Sequence, residues 1–243
     1  MPTSGSNWTQ FWQSERHAFD DIMRLATGYF ADQFVKRFKA QGDVHVFDYG
    51  CGPGFLADVL LPKGVTFTGA DINPYFIELC QKHHPQSNFF SIHADARENS
   101  EVLKQNLRRP ADFIILLSIT QYLGSPEELE HILSSLKPHL SRHGRIIVAD
   151  VVDEDTRSYR DALSLLFHSV RNGKMLAFAR FMRYVLSSEY ARTAKATRLQ
   201  TIPASFVQMM AARQGFSCNA EAGLTFHPTR KNYVLQPTVS NSH

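Results

Sequence analysis

The residues whose types and spacing most clearly suggest ligand binding form a glycine-rich turn, Asp48-Tyr49-Gly50-Cys51-Gly52-Pro53-Gly54, which follows a short apolar run. Glycine at alternate positions lets backbone N–H groups approach a ligand closely, because no side chain stands in the way. The spacing differs from a dinucleotide fingerprint, since Phe55 occupies the position where GxGxxG places its third glycine. The turn therefore favours a ligand that is held without the pyrophosphate contact of a dinucleotide.

Acidic residues accompany this turn. Asp71 ends the next apolar run, 23 positions after Asp48, where a carboxylate can accept two hydrogen bonds from a ribose diol. Asp95 follows a third such run. Each of the three residues, taken singly, is better explained as a loop cap or a surface carboxylate. Taken together, three acidic residues at the ends of successive runs favour a binding site.

Short apolar runs alternate with helical patterns between residues 43 and 152, which is typical of βαβ units and a parallel sheet buried on both faces. We therefore expect a doubly wound α/β fold that brings the acidic run ends to one edge. The predicted strands are Val44–Asp48, Val65–Asp71, Asn88–Asp95, Asp112–Ser118 and Arg145–Val152. Asn73, directly before Pro74, predicts the N-cap of a helix that follows the second strand.

The turn and the acidic strand ends resemble those of class I S-adenosylmethionine-dependent methyltransferases, over about Asp43 to Asp150. The resemblance implies a Rossmann-like, seven-stranded, mostly parallel sheet with helices on both faces, S-adenosyl-L-methionine as cofactor and S-adenosyl-L-homocysteine as product. It assigns Asp71 to the ribose hydroxyls and Asp95 to the adenine amino group. The residues predicted to bind the cofactor are Trp12, Asp48, Gly50, Cys51, Gly52, Gly54, Asp71, Ile72, Asp95, Ala96, Ser118 and Tyr122.

Three further parts surround the core of residues 43–152 in what we expect to be one folded unit. Residues 1–42 predict an N-terminal helical cap that closes over the cofactor. Residues 153–203 predict a helical lid inserted after the fifth strand. Residues 204–243 predict a helix and a pair of strands that complete the sheet, the last strand being antiparallel by resemblance to the family.

A catalytic base is needed only when the acceptor must lose a proton, as a phenol or an alcohol does, because the cofactor's methyl group is already electrophilic. Asp150 and His168 are the candidate bases, since ligands of parallel sheets bind beyond the carboxyl ends of the strands. Asp150 ends the fifth predicted strand, and His168 lies in the predicted lid. His168 is also explained as a helix histidine packed against the sheet.

The predicted lid is strongly basic, with nine Arg and Lys against two Asp and Glu from Arg157 to Arg198, whereas the whole chain carries a formal charge of +3. Arg157 and Arg160 are candidates for binding an anionic acceptor, and Phe178 and Phe181 for contacting an apolar one. A basic amphipathic segment also suits an anionic membrane surface, a partner protein, a homodimer contact or a solvated face over the core.

Composition favours a globular protein, with 43% hydrophobic and 20% charged residues. The longest apolar run, Phe113–Leu117, is too short to span a membrane, and Met1–Asn7 does not resemble a signal peptide, so a cytoplasmic location is expected. Three separated cysteines predict reduced thiols and no metal site. The fourth strand lacks the Asn/Asp-Pro-Pro-aromatic motif of exocyclic-amine nucleic-acid methyltransferases, so no nucleic-acid partner is expected.

These observations predict an enzyme that methylates an oxygen, nitrogen or carbon of a small, partly apolar molecule. Because the predicted lid is basic, this acceptor could also carry an anionic group. Two alternatives stay open. One is methylation of a lipid or quinone-like acceptor at a membrane surface, and the other is a cofactor-binding module without turnover.

Overall fold

The computed structural model describes residues 4–14, 20–187, 189–196 and 199–238. The strands are β1 His45–Tyr49, β2 Thr66–Asp71, β3 Asn88–Ser91, β4 Ala111–Leu117, β5 Leu140–Val151, β6 Phe216–Ala220 and β7 Lys231–Pro237. The helices are α1 Ser4–Ser14, α2 Asp20–Phe38, α3 Phe55–Leu60, α4 Pro74–His83, α5 Ser100–Asn106, α6 Pro126–Leu136, α7 Ser158–Arg171, α8 Met175–Ser187, α9 Glu189–Ala196 and α10 Ala204–Arg213. None of the described helices is long and apolar enough to cross a membrane.

The seven strands form one sheet in the order β3-β2-β1-β4-β5-β7-β6. Strands β1 to β5 pair in parallel, and β7 pairs antiparallel with both β5 and β6. The predicted Rossmann-like sheet is therefore confirmed. The strand order reverses between β1 and β4, and ligands of open α/β sheets bind at the carboxyl ends of the strands beside such a reversal.

The third predicted strand is shorter in the structure. The third strand ends at Ser91 rather than Asp95, because local hydrogen bonds replace the ladder: the N–H of His93 donates to the Asn99 side chain at 2.7 Å, and the N–H of Arg97 donates to Asp95 at 3.0 Å. In the segment predicted as a helical lid, residues 153–203, the structure has three helices, α7, α8 and α9.

Aromatic packing joins the N-terminal helix to the carboxyl edge of the sheet. Trp8 of α1 is fully buried, and its ring lies 5.0 Å from that of Tyr122, which follows β4, and 5.3 Å from that of Tyr190 in α9. Ring pairs at these separations stabilise a contact beyond the area that they bury. Helices α1 and α9 are thus held together over the ends of the strands.

Asn73 connects this cap to the second strand. Its side-chain oxygen accepts the N–H of Tyr75 at 3.0 Å, which confirms the predicted N-cap of α4, and its amide nitrogen donates to the carbonyl of Trp12 at 2.8 Å. One buried side chain therefore fixes both the start of α4 and the position of α1.

Substitution of Asn73 separates these two roles. We expect Asn73→Ala to lower the melting temperature by about 2–4 °C, from about 1 kcal/mol of lost capping, and to speed amide hydrogen exchange in α1. Asn73→Ser retains a capping oxygen but not the donor to Trp12, so it should speed exchange in α1 with a smaller loss of melting temperature. Unchanged exchange in α1 for both variants would contradict the connection.

Candidate functional site

A cavity of about 350 Å³ lies at the carboxyl edge of the sheet. Its walls come from the glycine-rich turn after β1, from the ends of β2, β4 and β5, and from α1, α2, α7 and α8. Part of the connection between β6 and β7 also lines it, at 225–227. The cavity therefore extends from the predicted cofactor site to the predicted lid.

The glycine-rich turn depends on backbone conformations that favour glycine. Gly50, Gly52 and Gly54 have φ values of 85°, 52° and 86°. A Cβ atom added at Gly50 would lie 2.7 Å from Ile119, whereas at Gly52 the nearest heavy atom would be the Cε of Met23 at 4.0 Å. The Cα of Gly52 thus faces open space in the cavity, which any side chain at this position would partly fill.

Two thiols lie beneath the turn. Cys51 and Cys80 are both buried, and their sulfur atoms donate to the carbonyl of Gly52 at 3.7 Å and 3.4 Å. A hydrogen bond with Cys80, together with burial, raises the pKa of Cys51, so this thiol stays protonated. The expectation of reduced cysteines did not anticipate that α4 would bring these two residues together.

Asp71 links the turn to the next strand. Its Oδ2 accepts the N–H of Gly52 and its Oδ1 accepts the N–H of Asn73, each at 2.8 Å. Burial raises the pKa of Asp71 to about 6, although these backbone donors act in the opposite direction. A carboxylate has about four lone-pair positions, so acceptor capacity is left for two further donors from the cavity.

Asp48 is a buried carboxylate without a hydrogen-bond donor among the described residues, and it lines the same cavity. Burial, and then the nearby charge of Asp71, raise the pKa of Asp48 to about 8. A cationic ligand would restore the ionised form, because an opposite charge offsets the cost of burial. This part of the cavity therefore has the electrostatics of a site for a positively charged molecule.

The other predicted cofactor residues divide into two groups. Trp12, Ile72, Ser118 and Tyr122 line the cavity together with Asp48, Gly50, Cys51, Gly52 and Asp71. Gly54, Asp95 and Ala96 do not line it: Gly54 starts α3, and Ala96 is packed in the core.

The carboxylate of Asp95 is engaged elsewhere. It is 39% exposed and forms an ion pair with Arg97 at 2.6 Å. This contact with Arg97 lowers the pKa of Asp95 to about 2. In the loop between β3 and Asp95, Ile92 and Ala94 line the cavity.

A second polar group lies at the end of β5. Asp150 has a φ of 65°, and Ser118 at the end of β4 has a φ of 57°, both uncommon for residues other than glycine. The Oδ2 of Asp150 accepts the Ser118 hydroxyl at 2.7 Å and the Arg230 guanidinium at 2.9 Å. Burial acts to raise the pKa of Asp150, but Arg230 and His227 outweigh it and lower that pKa to about 2.

His227 completes this group, and sequence reasoning missed it. Its Nδ1 lies 2.7 Å from Oδ1 of Asp150, and the residue lines the cavity. Because an ionised carboxylate only accepts, Nδ1 carries the hydrogen, and a neutral ring then has its lone pair on Nε2. Asp150 therefore fixes the tautomer that a general base requires. A signal was present: β7 runs antiparallel to β5, so the residues before β7 must lie at the carboxyl end of β5.

His168, the other candidate base, is placed differently. It is not among the residues that line the cavity; its ring packs 5.1 Å from Phe226 and 5.2 Å from Tyr29. Burial, followed by the charge of Arg171, lowers the pKa of His168. The arrangement matches the simpler interpretation of a packed helix histidine.

Of the lid residues that were predicted to contact the methyl acceptor, some line the cavity and others do not. Phe181 lines the cavity, whereas Phe178 packs against the cluster around Ile22. Arg157 and Arg160 are exposed and do not line it. Arg198, the end of the basic segment, lies outside the described residues.

Gly52 provides a direct test of the cavity. We expect Gly52→Val to weaken binding of S-adenosylmethionine by at least about tenfold, because its side chain would fill the space beside the exposed backbone. Gly42→Val is the matched control, since Gly42 also has a positive φ of 71° and open surroundings but does not line the cavity. Calorimetry measures both. Equal affinities in the two variants would remove the turn from the binding site.

Asp48 predicts a pH dependence of binding. Its pKa of about 8 in the free protein means that it is protonated below that pH and must ionise to pair with a cation. The affinity for S-adenosylmethionine should therefore increase about tenfold between about pH 7 and pH 9. Asp48→Asn, measured by the same titrations, corrects for ionisation of the ligand itself and should lack this increase. The same pH profile in both proteins would contradict the assignment.

Comparison with known proteins agrees with this geometry. A methyltransferase-domain family model matches residues 47–146, from β1 into β5. The ubiquinone biosynthesis O-methyltransferase of Pseudomonas fluorescens is 22% identical over 199 residues, which cover 80% of this chain and 73% of that protein. The tRNA (uracil-O(2)-)-methyltransferase of Yarrowia lipolytica is 27% identical over 66 residues, which span only 12% of its length and 27% of this chain.

Solved structures share the whole fold. The magnesium protoporphyrin IX methyltransferase of Synechocystis, crystallised with S-adenosylhomocysteine, aligns with a TM-score of 0.55 at 16% identity, over 96% of this chain and 94% of that one. The matched domain, the sheet order and the glycine-rich turn with Asp71 point to one family. Residues 47–146 are thus a methyltransferase domain of the class I S-adenosylmethionine-dependent type.

Proposed function

We propose that this chain methylates a hydroxyl group of a small, apolar molecule, with His227 as general base. The observation that carries the proposal is the 2.7 Å hydrogen bond from His227 to the buried carboxylate of Asp150, at the wall of the same cavity that contains the glycine-rich turn.

The residues of the turn fit the cofactor of this family. S-Adenosylmethionine, when bound, supplies an electrophilic methyl group on a positively charged sulfur. Asp71 has acceptor capacity left for the two ribose hydroxyls, and the bare backbone of Gly52 leaves room beside it. Asp48, buried and without a donor, is placed to pair with the positive charge of the cofactor.

The formal charges of the second polar group suit a general base at His227. Arg230 bridges Asp150 at 2.9 Å and Asp161 at 3.3 Å, so two carboxylates face one guanidinium and the group has a formal charge of −1 while the imidazole is neutral. When Nε2 takes the proton of the acceptor hydroxyl, this charge becomes zero. Buried negative charge thus stabilises the imidazolium as the acceptor oxygen becomes nucleophilic.

The space near His227 suits an apolar acceptor. Ile22, Leu165, Phe181 and Phe226 line this part of the cavity. The cation in the wall, Arg230, is already paired with two carboxylates. A neutral, ring-sized molecule with a hydroxyl therefore fits the lining better than an anionic one, and the ubiquinone biosynthesis O-methyltransferases among the relatives support a hydroxyl acceptor.

A comparison of acceptors with different acidity tests the base. Phenols that are neutral at the assay pH need a base, whereas nitrophenols that are already ionised do not. We expect His227→Gln to lower kcat/KM on neutral phenols by about 100- to 10,000-fold and to affect ionised nitrophenols far less. Formation of S-adenosylhomocysteine and the mass gain of one CH2 group measure turnover.

His168→Gln is the matched control, because His168 packs beside the cavity without lining it. It should leave turnover close to that of the unaltered protein. Equal losses on both classes of phenol in His227→Gln would mean that His227 only shapes the pocket. Cofactor binding without turnover on any phenol of the panel would favour the non-catalytic alternative.

A further inference from the structure

Helix α7 has apolar residues on two opposite faces. Leu165, on the inner face, is buried against the cavity. Tyr159, Leu163, Phe167 and Val170 follow helical spacing on the outer face, and between 54% and 67% of each is exposed. A helix that is apolar on both faces is typical of a buried position, so its exposed stripe calls for a further contact.

The stripe continues past the end of α7. The Asn172-Gly173 turn joins α7 to α8, and Met175 and Leu176 at the start of α8 are 50% and 65% exposed. We call these six exposed residues the hairpin face: Tyr159, Leu163, Phe167, Val170, Met175 and Leu176.

The exposed charged residues of the hairpin itself are of one sign. The basic residues between 157 and 187 are all exposed, and they are Arg157, Arg160, Arg171, Lys174, Arg180 and Arg183. The acidic residue in this range, Asp161, is buried and paired with Arg230. Lys174 pairs with Asp21 of α2 at 3.5 Å. The exposed charges that the hairpin itself carries beside its apolar stripe are nevertheless all positive.

We propose that the hairpin face docks on the surface of an anionic lipid bilayer, with α7 lying in the plane of the interface. Helices with an apolar stripe flanked by Arg and Lys insert their apolar side chains at the headgroup boundary, while their cations contact anionic lipids. Tyr159, which belongs to the stripe, is of a residue type that is enriched at that boundary.

Charge and position both favour lipid over a second copy of the chain. A symmetric dimer through this face would bring two sets of arginines together, and like charges repel. The opposite side of the same hairpin lines the cavity through Leu165 and Phe181. Docking would therefore place the wall of the cavity next to the membrane, where apolar molecules concentrate.

Vesicle cosedimentation tests this proposal without any assay of turnover. We expect the protein to bind vesicles that contain phosphatidylglycerol, to bind pure phosphatidylcholine vesicles about tenfold less, and to dissociate as salt is raised. The double variant Leu163→Ser/Phe167→Ser should bind anionic vesicles about tenfold less. Both side chains are 61% exposed, so circular dichroism and cofactor affinity should not change.

Met209→Ser is the matched control, because Met209 is an exposed apolar residue of α10, away from the hairpin. It should bind vesicles like the unaltered protein. Equal binding by the double variant and the unaltered protein would overturn the proposal, as would no binding to anionic vesicles. A dimer in light scattering that becomes a monomer in the double variant would assign the face to a second copy instead. None of these outcomes bears on the role of His227.

Discussion

The site depends on buried carboxylates at the carboxyl edge of one sheet. Three buried carboxylates lie at the ends of strands. Asp71 is the last residue of β2, and Asp48 and Asp150 are the second-last residues of β1 and β5. Burial of a charge is costly unless a partner compensates for it, so each carboxylate indicates what must lie beside it. Because the strands pair in parallel, the three carboxylates lie around one cavity.

The carboxylates are compensated to different degrees, and this difference divides the cavity. Asp150 has Arg230, Ser118 and His227 as partners, which keep its pKa at about 2. Asp71 has two backbone donors, and Asp48 has no donor among the described residues, so their pKa values rise to about 6 and 8. At one end of the cavity, protein side chains thus compensate the negative charge of Asp150. At the other end, a cationic ligand can compensate the charge of Asp48.

The features that sequence predicted are those determined by short segments. Apolar runs such as that around Phe113 specify buried parallel strands, and alternate glycines specify a turn with positive φ. Asn73 before Pro74 specifies a helix start. The contacts that sequence missed join residues far apart in the chain: His227 with Asp150, and Cys51 with Cys80. Asp95 has the expected spacing, but a nearby Arg97 turns its carboxylate away from the expected role. Local patterns carry no information about the two distant pairs, whereas Arg97 is only two residues away from Asp95.

Asp161 connects α7 to the residues around His227. It lies on α7, where its Oδ1 accepts the Thr229 hydroxyl at 2.8 Å and its Oδ2 accepts Arg230 at 3.3 Å. Movement of α7 away from the sheet would separate these charges and leave Arg230 paired with Asp150 alone. The formal charge of the group beside His227 would then rise from −1 to zero. The position of α7 and the charge beside His227 are therefore linked.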